Sequence, residues 1–292
     1  MKRLSVVTGA TAGIGYEVMV QLLDQGVSVI AVGRNIDKLN RIKEQFKEEI
    51  NTQKLTLIQG DLSYHQGCMD VSNKIIEVIN QFGGTLDLLI HVAGIVKSGY
   101  SENRDHQELT FATNHLSVYL LTGKLYGFLK KSIDPRILIV SSLSHYRAWF
   151  DKTNLQSKRC YNVLRGYQRS KLYNVLFSYR FHRMDKDIKI YAIDPGVVKT
   201  EIGDKNTKGL ALFVWKIRKK SGVDAKLPAQ QMVQIALDEK YIKDNGGYMK
   251  NGESVKSSRI TYQIKKQDYL WKESEKLTNF VYPFDEVSIE KS

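Results

Sequence analysis

Short apolar stretches alternate along most of the chain with longer segments in which apolar residues recur every three or four positions. The short stretches are rich in Val, Ile and Leu with little polar alternation, which is typical of strands in a parallel sheet covered on both faces. They predict strands over residues 4–7, 27–32, 55–58, 86–90, 137–140 and 188–193. Because helical segments separate these strands, the pattern predicts an α/β fold, a doubly wound parallel β-sheet with helices on both faces.

Individual residues mark several element boundaries within this pattern. Gly26 predicts the end of the first helix. Residues 37–50 predict a helix whose core-facing side is formed by Leu39, Ile42, Phe46 and Ile50. Further along, the pattern predicts a helix over residues 229–237 and a last short strand that begins within residues 246–249.

A single domain accounts for all 292 residues, since a chain of this length can bury one sizeable core. Residues 1–200 carry the strand pattern and are predicted to be the core region of this domain, where its functional residues are expected. After Pro195-Gly196 the pattern loosens into a polar stretch and an apolar run over residues 210–215, which predicts a flap over residues 201–228. Residues 280–292 are predicted to form an irregular tail.

The chain carries a net charge of +13, and the excess of Lys and Arg lies C-terminal to residue 151. A solvated basic surface would explain this excess, and so would contact with the phosphates of an anionic cofactor or with an anionic membrane. No zinc-finger spacing, RNP motif or basic zipper accompanies the charge. We therefore expect no nucleic-acid partner.

The cysteines and histidines argue against structural cross-links. Cys68 and Cys160 are the only cysteines and lie far apart in the sequence, which predicts no disulfide framework and suits a reducing compartment. The six histidines show no ligand spacing, so no metal site is expected. No stretch reaches the ~18 apolar residues of a membrane span, and no signal peptide is evident, so a soluble, cytoplasmic protein is expected.

Glycines cluster directly after the first predicted strand, in the sequence Thr8-Gly9-Ala10-Thr11-Ala12-Gly13-Ile14-Gly15. Glycine permits a tight turn and a close backbone approach, and the N-terminus of a following helix offers free N–H groups to a pyrophosphate. A strand before the loop and a helix after it are what a dinucleotide-binding loop requires, although an ordinary strand-to-helix loop is the alternative. The predicted phosphate contacts are Gly9, Thr11, Ala12, Gly13, Ile14 and Gly15.

The second predicted strand leads into Gly33 and Arg34, at the place where a dinucleotide fold meets the adenosine ribose. An acidic residue there would bind the ribose 2′-OH of NAD, whereas Arg34 can pair with a 2′-phosphate, so NADP(H) is the expected cofactor. Asp61 and Leu62, after the third strand, are expected to position the adenine. The alternatives are a solvated Arg34 and a role of Asp61 as the N-cap of the next helix.

Tyr167 and Lys171 place a phenol and an ammonium four residues apart, on one face of any helix that carries both. A nearby cation lowers the pKa of a tyrosine from its ordinary value of about 10, which suits proton transfer to or from a substrate oxygen. The same spacing occurs at Tyr126/Lys130 and Tyr262/Lys266. Only Tyr167 follows a strand that ends in paired serines and precedes Pro195-Gly196, so this pair is the predicted one.

The motifs together resemble the short-chain dehydrogenase/reductase family, whose fold is Rossmann-like, over roughly residues 3–200. The chain is most similar to the retinol dehydrogenase-like branch. The motifs that carry the resemblance are the glycine loop at 8–15, Ala93-Gly94, Asn114, Val140-Ser141-Ser142-Leu143-Ser144-His145, Tyr167-Gln168-Arg169-Ser170-Lys171-Leu172 and Asp194-Pro195-Gly196-Val197-Val198-Lys199-Thr200.

The resemblance implies roles for the matching residues. Tyr167 would be the general acid in carbonyl reduction and the base in alcohol oxidation, while Lys171 would lower its pKa and contact the nicotinamide ribose. Ser142, in preference to Ser141, would bind the carbonyl oxygen, and Asn114 would support a water chain from Lys171 to solvent. Further cofactor contacts are expected at Ala93, Gly94, Pro195, Gly196, Val198 and Thr200.

Alternatives to these roles remain at the level of the sequence. The paired serines could cap the next element, and Asn114 could be a buried structural amide. The chain also departs from the family, because His91-Val92 replaces the usual Asn-Asn before Ala93-Gly94. We expect this change to affect local geometry more than the class of reaction, and we expect no N-terminal membrane anchor of the kind that many retinol dehydrogenases carry.

The resemblance predicts an NADP-dependent oxidoreductase that transfers a hydride between the cofactor and a small apolar carbonyl or alcohol substrate. The apolar run at 210–215 favours such a substrate, although a packing helix is the alternative. The basic residues up to 220 suit peripheral membrane contact through 210–220. Homo-oligomers are frequent in the family, and the competing hypothesis is a catalytically silent dinucleotide-binding regulator or scaffold.

Overall fold

A single sheet of eight strands organises the part of the chain that the computed structural model describes, residues 3–198 and 223–284. The strands are β1 Leu4–Thr8, β2 Ser28–Gly33, β3 Leu55–Gln59, β4 Leu88–His91, β5 Arg136–Val140, β6 Lys189–Asp194, β7 Tyr248–Lys250 and β8 Glu253–Val255. Their order is β3-β2-β1-β4-β5-β6-β7-β8, and every neighbouring pair is parallel except β7 and β8. The predicted α/β fold with a doubly wound parallel sheet is confirmed, with β8 added as an antiparallel strand.

Helices cover both faces of this sheet. The α-helices are α1 Gly13–Asp24, α2 Ile36–Gln45, α3 Lys47–Asn51, α4 His65–Gln81, α5 Leu109–Phe111, α6 Ser117–Leu129, α7 Val163–Met184, α8 Lys226–Leu237 and α9 Ile264–Thr278. A π-helical turn, Ala112–Leu116, joins α5 to α6, and 3₁₀ helices form at Leu143–Arg147, Glu239–Asp244 and Arg259–Tyr262. Gly26 follows α1 with a φ of +74°, as the predicted stop signal requires.

The core divides into two layers because successive residues of a strand face opposite sides of the sheet. Val6 of β1 packs in the cluster that includes residues of α4, α6 and α7, whereas Val7 packs with residues of α1 and α8. Leu89 and Ile90 of β4 divide in the same way. All four side chains are fully buried, which explains why the strands show almost no polar alternation.

Two predicted elements differ from those observed. The segment 37–50 is not one helix: the backbone changes at Phe46 (φ −115°, ψ 42°) and separates α2 from α3. This break lets the Phe46 ring pack edge-on against Tyr16 of α1, with ring centroids 6.4 Å apart. The strand expected within 246–249 is β7, but it is not the last, because a turn at Asn251 and Gly252, both with positive φ, leads into the antiparallel β8.

The C-terminal residues pack outside the first helical layer. Helix α9 lies against α7, and beyond it Tyr282 is fully buried, with its ring centroid 4.7 Å from that of Trp271 and 5.0 Å from that of Tyr119. The predicted tail is described only over residues 280–284. None of the helices in the two described ranges is both long and apolar enough to cross a membrane.

Candidate active site

The predicted site residues follow the carboxyl ends of six strands, β1 to β6, which all end at one edge of the sheet. Strand order reverses at the β1–β4 boundary, because the chain runs outward from β1 to β3 and then returns to β4. Ligands of open α/β sheets bind in the crevice that such a reversal creates. The fold therefore brings together the glycine loop after β1 and the Ala93-Gly94 segment after β4.

Two glycines of the loop after β1 occupy positions that no larger residue could take. Gly9 has a φ of +71°, and a Cβ added there would lie 2.8 Å from the backbone N of Ala93. A Cβ on Gly15 would lie 2.3 Å from the carbonyl oxygen of Gly9. Both contacts are with backbone atoms, so the loop keeps its tight course only with glycine at these positions.

Thr8 holds the two loops of the crevice together. Its Oγ1 accepts hydrogen bonds from the backbone N–H groups of Val92 and Ala93, at 3.1 and 3.2 Å. No spacing in the sequence distinguishes this threonine from the rest of the glycine loop. Its role depends on β1 and β4 being neighbours, although they are separated by some 80 residues.

Helix α1 begins at the glycine loop with free backbone N–H groups. Ala12 is its N-cap and makes no side-chain cap, and the first turn carries no acidic residue. Such a helix end favours an anionic group. Ile14 belongs to the core through its side chain, so only its backbone is available to a ligand. This glycine cradle and the uncapped helix end fit the pyrophosphate of a dinucleotide.

The end of β2 places Arg34 close to Asp61. The Arg34 guanidinium lies 3.9 Å from Asp61 Oδ1, with the two side chains 59% and 37% exposed. Asp61 Oδ1 accepts the Ser63 N–H, but helix α4 begins only at His65 with Tyr64 as its N-cap, so the alternative N-cap role of Asp61 is wrong. Leu62 is buried in the core, which leaves its backbone for contact with an adenine.

Gly33 leaves room at the end of β2 for a neighbouring side chain. A Cβ at this position would lie 2.2 Å from Thr11 Cγ2. Thr11 therefore packs over Gly33 and links the glycine loop to the strand end beside Arg34. The space at Gly33 is accordingly filled by the protein itself.

Helix α7 carries Tyr167 and Lys171 on one face, in contact with the end of β5. The Lys171 ammonium lies 5.6 Å from the centroid of the Tyr167 ring and donates to the carbonyl oxygen of Val140 at 2.9 Å. Lys171 is only 2% exposed, and burial lowers its pKa to about 8 because the charged form loses hydration. Asn174 donates to the same carbonyl oxygen at 3.3 Å.

Asn114 lies in the π-helical turn, which is a distortion often found at functional sites. Its Oδ1 accepts the Ile95 N–H at 2.7 Å, and its Nδ2 donates to the Ile95 carbonyl and to Ser170 Oγ, both at 3.0 Å. A Cβ on Gly94 would lie 3.3 Å from Asn114 Oδ1 and 3.6 Å from Lys171 Nζ. Asn114 thus braces the loop after β4 against α7, beside the lysine.

The two serines at the end of β5 have different surroundings. Ser141 is 1% exposed, and its hydroxyl donates to the carbonyl oxygen of Lys171 at 2.9 Å. Ser142 is partly exposed and is the N-cap of the following 3₁₀ helix, because its Oγ accepts the Ser144 N–H at 3.2 Å. The predicted capping role is therefore real for Ser142, and the residue stays partly exposed.

The other two Tyr/Lys pairs lie in different surroundings. Tyr126 donates to Asp185 at 2.7 Å, and Lys130 makes ion pairs with Asp185 and Asp187 at 3.1 and 2.7 Å. This cluster joins α6 to the segment before β6, at the amino ends of the strands. Tyr262 is 52% exposed on a 3₁₀ helix. Tyr126 and Lys130 thus lie away from the glycine loop, and the Tyr262 hydroxyl accepts the Ser257 N–H at 3.1 Å.

His91, at the position where the family usually has asparagine, is buried at the end of β4. Its Nε2 lies 2.9 Å from Thr122 Oγ1 of α6, and burial lowers its pKa to about 3. Thr8 holds the backbone of the following Val92 and Ala93. Contacts to α6 and β1 thus maintain the local geometry at His91 and Val92.

The segment after β6 begins with a tight turn. Gly196 has a φ of +72°, and its N–H donates to Asp194 Oδ1 at 3.0 Å, so the turn around Pro195 is fixed by Asp194. Val198 forms a bridge with Val223. Thr200, the apolar run 210–215 and the basic residues up to 220 lie outside the described residues.

Known proteins resemble this chain along nearly its whole length. Residues 3–211 match the family model described as short chain dehydrogenase. The chain is 30% identical to human polyprenol dehydrogenase, with 94% of this chain and 85% of that protein aligned. It is 28% identical to human retinol dehydrogenase 13, with 95% and 85% aligned.

Solved structures share the fold at lower identity. An uncharacterised protein from Mycobacterium paratuberculosis superposes with a TM-score of 0.74 at 24% identity, covering 96% of this chain and 95% of that one. An NADPH-bound carbonyl reductase from chicken fatty liver gives 0.65 at 21% identity, covering 88% and 99%. The chain therefore belongs to the short-chain dehydrogenase family, oxidoreductases that bind a nicotinamide cofactor, and is related to its retinol and polyprenol dehydrogenases.

Proposed function

We propose that this protein is an NADP(H)-dependent oxidoreductase that interconverts an apolar carbonyl compound and its alcohol, with Tyr167 as the general acid and base. The observation that carries the proposal is the buried ammonium of Lys171 on the Tyr167 face of α7. Burying a charge costs stability, and such costly groups cluster at functional sites. Here it stands beside the phenol that would exchange the proton.

Tyr167, Lys171 and Ser142 would have different roles in carbonyl reduction. The bound cofactor would supply the hydride to the carbonyl carbon. Tyr167 would donate its proton to the carbonyl oxygen, while the charge of Lys171 would stabilise the phenolate left behind. Ser142 would donate a hydrogen bond to the same oxygen, which its partial exposure allows and the engaged hydroxyl of Ser141 does not. Oxidation would reverse these steps.

Asn114 and Lys171 would connect the site of proton transfer to solvent. Both side chains lie beside Gly94, so a water chain from Lys171 would pass Asn114, whose Nδ2 hydrogens are engaged by Ile95 and Ser170. The remaining lone pair of Asn114 Oδ1 would accept a hydrogen bond from that water. Asn114 would therefore combine a structural and a relay role.

Arg34 supports the preference for NADP(H) over NAD(H). Its exposed guanidinium at the end of β2 could pair bidentately with a ribose 2′-phosphate. The long 3.9 Å contact with Asp61 would yield easily to a phosphate, because exposed ion pairs contribute little free energy. Asp61 would then be free to contact the adenosine.

The substrate class is proposed from the relatives and from the sequence. Human polyprenol dehydrogenase and human retinol dehydrogenase 13 carry names that refer to apolar isoprenoid alcohols. The apolar run at 210–215 would suit such a substrate. Peripheral membrane contact through 210–220 and a homo-oligomeric assembly stay predictions of the sequence.

The test is NADPH consumption by the purified chain with apolar aldehydes and ketones, repeated with NADH. We expect turnover with NADPH and a loss of at least about 100-fold in kcat for Tyr167→Phe, in the range typical of general acid–base groups. Tyr126→Phe is the matched control, since Tyr126 has the same spacing to a lysine but bonds Asp185. It should retain kcat.

Four results would contradict parts of the proposal. Full activity of Tyr167→Phe would exclude the proposed acid. A preference for NADH, or an unchanged preference in Arg34→Ala, would exclude the role of Arg34. Tight NADPH binding without turnover of any carbonyl or alcohol would favour the silent regulator.

A further inference from the structure

The hydroxyl of Ser142 accepts two hydrogen bonds from one neighbouring residue. Ser144 donates to Ser142 Oγ through its backbone N–H at 3.2 Å and through its own hydroxyl at 2.8 Å. Both contacts arise within the 3₁₀ helix Leu143–Arg147, whose first turn folds Ser144 back over its N-cap.

This arrangement sets the direction in which the Ser142 hydroxyl can bond. A serine oxygen has two lone pairs and carries one hydrogen. Ser144 occupies both acceptor positions, so the remaining capacity of Ser142 is to donate its hydrogen. A carbonyl or alkoxide oxygen accepts only, and therefore needs such a donor. A hydroxyl that is itself accepting also donates more strongly, because chained hydrogen bonds polarise one another.

His145 fixes the other end of Ser142. The carbonyl oxygen of Ser142 accepts the His145 backbone N–H at 3.0 Å and lies 2.8 Å from His145 Nδ1. On the far side of the ring, His145 Nε2 accepts the Ser258 N–H at 3.0 Å. A carbonyl partner at Nδ1 and an N–H partner at Nε2 specify the neutral tautomer with its hydrogen on Nδ1.

Burial keeps this ring in place. His145 is fully buried, with its ring centroid 4.6 Å from that of Tyr248 of β7. The turn that carries Ser142 is thereby tied to β7 and to the segment that follows β8. The backbone of Ser142 stays extended, with φ −172° and ψ 151°.

We propose that Ser144 and His145 are positioning residues that make Ser142 a dedicated hydrogen-bond donor to the substrate oxygen. Ser144 sets the direction of the hydroxyl hydrogen, and His145 sets the backbone from which the hydroxyl projects. The inference rests on the proposed function, because it assumes that Ser142 binds the reacting oxygen.

Ser144→Ala tests the first half of the proposal, because it removes the hydroxyl donor and keeps the backbone N–H. We expect kcat for carbonyl reduction to fall about 3- to 10-fold, as the loss of one hydrogen bond predicts, with the KM for NADPH unchanged. Ser144→Thr, which keeps a hydroxyl, should restore most of the kcat. In a Ser142→Ala background, Ser144→Ala should have no further effect, since its partner is gone.

His145→Asn and His145→Gln separate the two ring contacts. The asparagine amide can take the place of Nδ1 and donate to the Ser142 carbonyl, whereas the glutamine amide reaches the place of Nε2 and can bond Ser258. We expect kcat to be retained better, by at least about 3-fold, in the asparagine variant. In the wild type, ¹⁵N NMR should show the Nδ1–H tautomer of His145.

The experiments distinguish an error in the positioning roles of Ser144 and His145 from an error in the proposed function. A wild type that turns over no carbonyl substrate would overturn the proposed function, and the positioning roles with it. An active wild type in which Ser144→Ala is unimpaired, or in which its effect persists without the Ser142 hydroxyl, would overturn the role of Ser144 alone. Equal losses in both His145 variants, or an Nε2–H tautomer, would overturn the role of His145.

Discussion

Asn114 Nδ2 donates a hydrogen bond to Ser170 Oγ at 3.0 Å, and this contact joins the π-helical turn to α7 one residue before Lys171. Ser170 passes the bond on, because its hydroxyl donates to the carbonyl oxygen of Tyr167 at 2.8 Å. The chain of contacts from Asn114 therefore ends on the backbone of the proposed acid. Removing either side chain should disturb the position of Tyr167.

Asn114→Ala should impair both stability and catalysis. It breaks three hydrogen bonds, to the backbone of Ile95 and to Ser170, so we expect the free energy of unfolding to fall by about 2–4 kcal/mol and kcat to fall at least about 10-fold. Ser170→Ala is the milder companion, with an expected loss of about 1 kcal/mol. Urea unfolding and steady-state rates of both single variants and the double variant give the coupling. Strictly additive losses would show that the two side chains have no energetic coupling.

Lys171→Met should make the protein more stable and inactive. The folded pKa of Lys171 is about 8, below the unfolded value of about 10.4, so folding favours the neutral amine. Its stabilising contribution is present above pH ~10.4 and is lost as the pH falls through ~8, so at pH 7 the buried ammonium is a cost that methionine removes. We expect a gain of about 1–3 kcal/mol in urea unfolding at pH 7.

The Val140 carbonyl should tolerate this change, because Asn174 still donates to it. The gain should shrink as the pH is raised from 8 to about 10.4, where the wild type also carries a neutral amine. A less stable Lys171→Met at pH 7 would contradict the assignment of the buried charge as a cost.

Gly15→Ala should weaken NADPH binding. The added Cβ would stand 2.3 Å from the Gly9 carbonyl oxygen, a backbone atom that cannot move without distorting the loop. We expect at least about a 10-fold rise in the Kd for NADPH, measured by fluorescence titration, and a stability loss of about 1–3 kcal/mol. Gly127→Ala is the control: this exposed glycine of α6 has no atoms within 4 Å of an added Cβ. It should bind NADPH normally and gain up to about 1 kcal/mol.

Mild acid should destabilise the fold through its buried histidines. Burial lowers the pKa of His91 and of His115 to about 3, far below the unfolded value of about 6.5. The neutral rings stabilise the fold fully above pH ~6.5, and this contribution is lost as the pH falls toward 3, because only the unfolded chain takes up the protons. Between pH 7.5 and pH 5, each histidine should lower the free energy of unfolding by about 2 kcal/mol.

His91→Asn isolates one of these contributions. The asparagine does not titrate but can still bond Thr122, so the variant should lose about 2 kcal/mol less than the wild type over the same pH change. Other titrating groups are common to both chains and cancel in the comparison. An identical pH dependence of urea unfolding in the two chains would contradict the buried neutral state of His91.

Most of the sheet could be predicted from the sequence because strands buried on both faces consist mainly of apolar residues such as Val, Ile and Leu, whatever their neighbours. The glycine loop could also be predicted from the sequence, since positive φ and close backbone approach leave glycine as the only choice at Gly9. The break at Phe46 could not be predicted, because the apolar spacing of residues 37–50 continues through it and Phe46 packs against Tyr16 of another helix. The short β8 carries too few residues to show a period.

The site was predictable to the extent that its chemistry lies in residue types and local spacing. Tyr167 and Lys171 share a helix, so their proximity follows from the helical repeat alone. The contacts of Thr8 with Val92 and of His145 with Ser258 join residues 84 and 113 positions apart. Nothing local in the sequence indicates such pairs.

The sequence by itself thus determined the alternation of strands and helices, the family and the candidate reactive groups, because each depends on short-range pattern. Tertiary structure alone decided that Tyr126 and Lys130 bond Asp185 whereas Lys171 bonds the end of β5, since both pairs have the same spacing. It also decided that Lys171 is buried, that Ser142 is partly exposed and that Ser141 bonds α7. Burial and hydrogen-bond direction are set by distant parts of the chain packing together, and no local pattern encodes them.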